Sequence, residues 1–255
     1  MKAMILAAGL GTRLRPLTND RPKALVTVNG HTLLEICLER LHHFGVRDVI
    51  LNVHHFAGML VDYLAAHDNF GMRIEISREE QLLNTGGGLK KAAWFFQEPG
   101  ADAGEPFLLH NVDVISTIDL ARMVEFHREQ NALATLAVQN RPTSRYLLFD
   151  EHAQLCGRRA GLDGPAEFCR SAGQPEALAF AGIHVLSHGL LDKLPAADAF
   201  PIVDAYLGLA ATGEKIAAFH ADEYRWRDLG RPESIVAAER EAQSAPGKDP
   251  AGRRV

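Results

Sequence analysis

Short uninterrupted apolar runs alternate along this chain with longer stretches in which apolar positions recur every three or four residues. The runs at 3–7, 49–53 and 107–109 read as buried strands, and the periodic stretches at 32–44, 56–66 and 86–96 are long enough for helices. Strands apolar on both faces need cover on both sides. The alternation therefore predicts βαβ units and an α/β fold: a single Rossmann-like domain whose mixed, mostly parallel sheet is flanked by helices.

Beyond residue 118 the pattern is less regular. A helix at 119–130 leads into the strand ALATLAVQ (132–139), and RYLLFD and HAQLCG read as the arms of a hairpin. A strand at 178–186 and helices near 201–212 and 231–243 complete the chain. No repeat or linker interrupts it, so one domain is expected over 1–241. The segment 242–255, AQSAPGKDPAGRRV, is small, polar and Pro/Gly-bearing, which predicts a disordered tail.

The net charge is −5, yet the first 25 residues carry Lys2, Arg13, Arg15, Arg21 and Lys23 against Asp20 alone. An island of this kind asks for a small anion. A nucleic-acid binder would instead show a basic stripe across a whole face, so no nucleic-acid partner is expected. No apolar run reaches the roughly 18–20 residues of a membrane span. MKAMILAAG carries only about seven apolar residues before its glycine, and reads as a first strand rather than a secretory leader. Cys37, Cys156 and Cys169 show no CxxC spacing, which supports neither a disulfide framework nor a zinc site and fits a reducing cytoplasm. In the pairs His42–His43 and His54–His55, adjacent side chains diverge, so neither pair reads as a metal site.

The chemistry concentrates after the first strand, in LAAGLGTRLRPLTNDRPKAL (6–25). In a parallel α/β sheet ligands bind outside the carboxyl ends of the strands, where Gly9 and Gly11 fall. Glycine lets successive backbone amides approach phosphate oxygens closely. The segment lacks both GxxxxGK[ST] and the third glycine of a dinucleotide fingerprint, since position 14 is Leu. Arg13 and Arg15 offer planar forks and Lys23 a compact charge, a combination suited to a substrate with several phosphates.

LAAGLGTRLRPLTNDRPKALVTV resembles the signature of the sugar-1-phosphate nucleotidyltransferases, AAGxGTRxxPLTxxxPKxLxxV, and matches its glycines, Thr12, Arg13, Pro16, Leu17, Thr18, Pro22, Lys23, Leu25 and Val28. The resemblance implies a nucleotidyltransferase domain in which a sugar 1-phosphate attacks the α-phosphorus of a nucleoside triphosphate and pyrophosphate leaves. It implies nucleotide contacts at Ala8, Gly9, Gly11, Thr12 and Arg13. Arg13 would hold the triphosphate and Lys23 would bridge toward the sugar phosphate. Such catalysis is mostly positioning and cationic stabilisation.

The same resemblance implies Mg²⁺ held by Asp113, in PFLLHNVDVIS, and Asp228, expected in a short polar turn of YRWRDLGRPE before the last helix. Magnesium takes one or two carboxylates beside substrate phosphates and water. Relatives often carry Gly before the first aspartate, where this chain has Val112. In EEQLLNTGGGLKK, Gln81 can both donate to and accept from a base edge. Thr85, Gly86 and Gly87, with Gly88, read as a helix start offering free amides and a bare surface for a nucleobase. AFAGIHVL resembles the F-x-G-I-x-V segment around the sugar, implicating Phe180 and Gly182, and Asn111 lies near enough to Asp113 to touch the same substrate. Trp94 reads as core and Trp226 as support for Asp228.

The short chain and the lack of a Glu-Lys-Pro element resemble compact N-acetylmuramate 1-phosphate uridylyltransferases, which implies UTP and N-acetylmuramate 1-phosphate as substrates. Two alternatives stand beside this: a cytidylyltransferase for a small alcohol phosphate, and a non-catalytic nucleotide-sugar sensor. A soluble cytoplasmic monomer or small homo-oligomer is expected, with no membrane partner.

Overall fold

A computed structural model describes residues 1–100 and 104–244. In chain order the elements begin with β1 (Lys2–Leu6), β2 (Thr27–Val28), β3 (His31–Thr32), α1 (Leu33–His43), β4 (Asp48–Val53), α2 (Ala57–Ala66) and β5 (Arg73–Arg78). Next come α3 (Asn84–Lys91), α4 (Ala93–Phe96), β6 (Phe107–Asn111), β7 (Val114–Ser116), α5 (Leu120–Glu129), β8 (Ala134–Gln139), β9 (Arg145–Phe149) and β10 (Leu155–Ala160). The remainder is β11 (Ala166–Phe168), β12 (Glu176–Leu186), α6 (Ile202–Ala211), β13 (Ile216–His220), β14 (Trp226–Asp228) and α7 (Pro232–Ser244). The class is α/β, with mixed strand pairing and flanking helices. Helix α7 runs past residue 241 to Ser244, and the remainder of the expected tail, 245–255, lies outside the described residues.

The contacts divide the chain into two compact units. The first comprises residues 1–82, 110–118 and 225 onward, and the second 83–109 and 119–224. The chain crosses from one to the other within β6 and at the ends of short loops, which is why no linker composition punctuates the sequence.

In the first unit β1, β4 and β5 form parallel ladders with β4 in the middle. Ala3, Met4, Ile5, Val49, Ile50 and Leu51 are fully buried, as two-sided cover requires. Helix α1 begins on a reciprocal capping box, with Thr32 Oγ1 accepting the Glu35 amide and the Glu35 carboxylate accepting that of Thr32. It ends where Gly45 takes φ +81°, its amide donating to His42 O and that of Val46 to Leu41 O. This paired closure uses the last free carbonyls. Arg40, in the last turn, sends both terminal nitrogens to the carbonyls of Ser116 and Ile118.

In the second unit β8 is buried along its whole length, parallel to β13 on one side and antiparallel to β12 on the other. The hairpin expected from RYLLFD and HAQLCG forms as β9 and β10. Asp150 Oδ1 closes its turn by accepting the amides of His152 and Gln154, each at 2.9 Å. Strands β5, β7, β11, β13 and β14 have no counterpart in the periodicity reading. β7, β11 and β14 are three residues long and β13 lacks a clear period-two alternation, whereas β5, RIEISR, does alternate and its signal was missed. Trp94, expected in the core, is 48% exposed at the surface of α4.

Candidate active site

The loop after β1 is shaped by Gly11, whose φ of +64° places it in the left-handed region. A Cβ there would sit 2.9 Å from Thr18 Cγ2 and 3.2 Å from Lys23 Cβ, so both conformation and space demand glycine. Thr18 Oγ1 donates to Gly11 O at 2.8 Å and holds the turn closed. Thr12 and Arg13 follow in a single 3₁₀ turn and are exposed, as are Gly9 and Leu10, whereas Ala8 is buried beneath them.

Asp113 follows β6, as the sequence predicts. Asp228 does not lie in a turn: it ends β14, which pairs antiparallel with β7 so that Asp228 stands opposite Val114. The Leu229 amide donates to Asp113 O at 2.8 Å and extends that pairing. This register sets two carboxylates, 115 positions apart in sequence, side by side. Lys23 Nζ forms a largely buried ion pair with Asp113 Oδ2.

The electrostatics of the pair are asymmetric. Burial pushes the Asp113 carboxyl up, but the Lys23 charge and its hydrogen bond outweigh it and hold Asp113 below its ordinary value. For Asp228, burial and the adjacent Asp113 charge win, pushing it up against the Gly230 N–H and Lys23. Two crowded carboxyls that resist joint ionisation, both offering hard oxygen atoms, suit a divalent cation such as Mg²⁺. Among the described residues no group of three His, Cys, Asp or Glu side chains gathers for a metal. Further donors to a cation here would be substrate oxygens and water.

Gly230 is a participant that sequence reasoning missed. A Cβ on it would lie 2.6 Å from Asp228 Oδ1, 2.7 Å from Arg13 Nη2 and 3.1 Å from Asp113 Oδ2. The Gly230 amide donates to Asp228 Oδ1 at 2.6 Å. Three of the expected functional side chains thus converge over a residue that must lack one. A glycine two positions after Asp228 was the available signal.

Behind Asp113 the support is rigid. Val112, at the position where relatives often have Gly, is 3% exposed, with its amide donating to Leu6 O at 3.3 Å. His110 is fully buried; burial, aided by the Arg40 charge, pushes its imidazole down to about 4, so it is neutral and its Nδ1 donates to Asn111 O at 2.8 Å. Cys37, beside it at 3.4 Å, is pushed up to about 12 by burial and is inert as a nucleophile. Asn111 itself ends β6 and is half-buried, while Gln81 is exposed just beyond β5.

Thr85, Gly86, Gly87, Phe180 and Gly182 belong to the second unit. The expectation of free amides at the glycine run is overturned. Gly86 N and Gly87 N donate to Phe200 O at 2.9 and 3.2 Å, and Thr85 Oγ1 accepts the Ile202 amide at 2.9 Å. A Cβ on Gly86 would lie 2.3 Å from the Phe200 ring, and one on Gly87 2.1 Å from Asp198 O. The run therefore lets α3 press against segment 198–202; the faces of Gly86 and Gly87 that their missing side chains expose are covered by protein. In β12, Gly182 takes φ +74° where the register with β8 shifts between Phe180 and His184. This bulge turns the strand beside Phe180, whose carbonyl accepts from Arg141 Nη2 at 2.9 Å.

An N-acetylmuramate alpha-1-phosphate uridylyltransferase of Caulobacter vibrioides is 34% identical over 246 residues, which is 93% of this chain and 95% of that protein. A mannose-1-phosphate guanylyltransferase of Mycobacterium tuberculosis is 29% identical over 92% of this chain, but the match spans 62% of that longer relative. Among solved structures, HddC from Yersinia pseudotuberculosis complexed with GMP-PN shares the fold with a TM-score of 0.73 at 22% identity, covering 94% of this chain and 98% of that one. A putative glucose-1-phosphate thymidylyltransferase from Bacillus anthracis does so with a TM-score of 0.76 at 18% identity, covering 98% of each chain. Residues 2–154, more than half of the sequence, match the nucleotidyl transferase family, and the chain belongs to that family.

Proposed function

We propose that this protein transfers a nucleotidyl group from a nucleoside triphosphate to a sugar 1-phosphate, with UTP and N-acetylmuramate 1-phosphate as the favoured pair. The observation that carries the reading is the convergence of Arg13, Asp113 and Asp228 over Gly230, with Lys23 on Asp113, at the end of an exposed glycine loop. The uridylyltransferase relative, matched along nearly its whole length, favours the specific substrates.

In this reading the amides of the Gly9–Thr12 loop and the Arg13 guanidinium hold the triphosphate. Lys23 balances the charge that spreads over the transferring phosphoryl group. An oxygen of the sugar phosphate forms the new bond to the α-phosphorus while the bond to the bridging oxygen breaks, and pyrophosphate leaves with that electron pair. Asp113 and Asp228 are the residues that would hold Mg²⁺, whose role when bound is to neutralise phosphate charge. Gln81 reads the base edge, and Phe180, Gly182 and Asn111 contact the sugar.

Pyrophosphate release across the four nucleotides, with several sugar 1-phosphates and phosphocholine as acceptors, tests this. UTP with N-acetylmuramate 1-phosphate should turn over fastest. CTP with phosphocholine as the best pair would make the protein a cytidylyltransferase, and nucleotide-sugar binding without any turnover would make it a sensor. Arg13→Ala and Lys23→Ala should each lower kcat/KM by ~10²–10³-fold, the usual cost of one preorganised stabiliser.

A further inference from the structure

Asn52 is a polar residue in the apolar run of β4 and is only 3% exposed. Its Oδ1 accepts the Ala7 amide at 2.8 Å, and its Nδ2 donates to Glu79 Oε1 at 2.7 Å. Glu79, 5% exposed, is held by its own backbone as well: its amide donates to Val53 O at 2.8 Å and its carbonyl lies 2.8 Å from His54 Nδ1. The three residues sit at the ends of β1, β4 and β5, all of which point toward the same edge of a parallel ladder.

The chemistry of this chain of bonds allows one arrangement. A backbone N–H can only donate and a carboxylate can only accept, so the side chain between them must offer one acceptor and one donor. Asn does so at the length available, and its amide orientation is thereby decided. Buried polar groups are kept where they are bonded. Ala7 is the first residue after β1, and Ala8 to Thr12 follow it directly. We propose that Asn52 is a positioning residue for the phosphate-binding loop: with Glu79 fixing its orientation, it aims the loop through the Ala7 amide and ties it to the segment carrying Gln81. The inference rests on the reading that this loop seats a triphosphate.

A polarity exchange tests it. Asn52→Asp places a second carboxylate against Glu79; adding Glu79→Gln moves the donor to position 79 and lets position 52 accept from both sides. Binding of UTP and of inorganic tripolyphosphate is measured by calorimetry, with kcat, KM and thermal midpoints alongside. Asn52→Asp should weaken both ligands about tenfold and raise KM for the nucleotide more than for the sugar phosphate, as loss of an ordered loop requires. Glu79→Gln should restore both affinities in the Asn52→Asp background but not in Asn52→Leu, which offers no acceptor to Ala7. Failure of that selective rescue in folded proteins, or parent-like affinity in Asn52→Leu, would overturn the proposal. Tripolyphosphate binding reads the loop without turnover, so an inactive parent that binds it would sink the transferase reading and leave this one judged on the rescue.

Discussion

Arg13 Nη2 lies 2.7 Å from where a Cβ on Gly230 would stand. The two residues are far apart in sequence, and the absence of one side chain decides where the other rests. Gly230 does not have a positive φ, so alanine is acceptable to the backbone and the conflict is with the site. Gly230→Ala should lower kcat/KM by about 10²-fold, the scale expected when a catalytic group is misplaced by an ångström. Its thermal midpoint should move by only a few degrees, since the Arg13 tip is free to yield. Parent-like turnover in a folded Gly230→Ala protein would remove this residue from the site.

Asp113 and Asp228 stand side by side across the β7–β14 register. If they act as one cation-holding unit, Asp113→Asn and Asp228→Asn should each abolish most of the activity, and the double variant should be about as slow as the worse single one. Single-turnover pyrophosphate release over a range of Mg²⁺, with Mn²⁺ binding followed by magnetic resonance, makes the measurement. Losses that multiply fully would show that the carboxylates act independently.

Gly87→Ala should act on stability. Its Cβ would meet the backbone oxygen of Asp198 at 2.1 Å, a rigid neighbour that has to move. Overpacking of this kind costs about 1–3 kcal/mol or more. Urea unfolding should report the loss, while the ratio of kcat/KM values among the four nucleotides stays unchanged in protein that remains folded. A shifted ratio at parent-like stability would return the residue to base recognition.

Acid should destabilise the fold through buried imidazoles. Burial pushes His110 from 6.5 down to about 4, and it does the same to His127 with help from the Arg128 charge. Between these limits the unfolded chain binds protons that the folded one does not, so stability falls as pH drops from 6.5 toward 4. At about 1.4 kcal/mol per unit, each histidine contributes a loss of roughly 2 kcal/mol between pH 7 and 5. Denaturant melts at the two pH values should show it, and His127→Gln should flatten the difference by about half. An unchanged slope in that variant would assign the acid sensitivity elsewhere.

The legible parts of the molecule were those encoded in neighbouring residues. The capped helix α1, the turn that closes β9 onto β10 and the glycine loop after β1 each depend on a few consecutive positions. Their signals are apolar period, a hairpin break between two apolar runs and glycines at a strand end, and all of them survive in a linear text. Arg13 and Lys23 stood out for the same reason, since they lie in one gapped signature. The run TGGG misled because a string of glycines announces close approach without naming what approaches; here it is the Phe200 ring and the Asp198 backbone.

By itself the sequence determined the α/β class, the position of the glycine loop after β1 and the family, because strand and helix periodicity, the backbone needs of a tight loop and a gapped signature are local properties. Tertiary structure alone decided that Asp228 stands beside Asp113, that Gly230 makes room for Arg13, and that Asn52 joins Ala7 to Glu79. Each of those depends on strand register between segments dozens to more than a hundred residues apart. Register emerges from the simultaneous burial of many side chains, and shifting it by one residue would turn each of these groups to the opposite face.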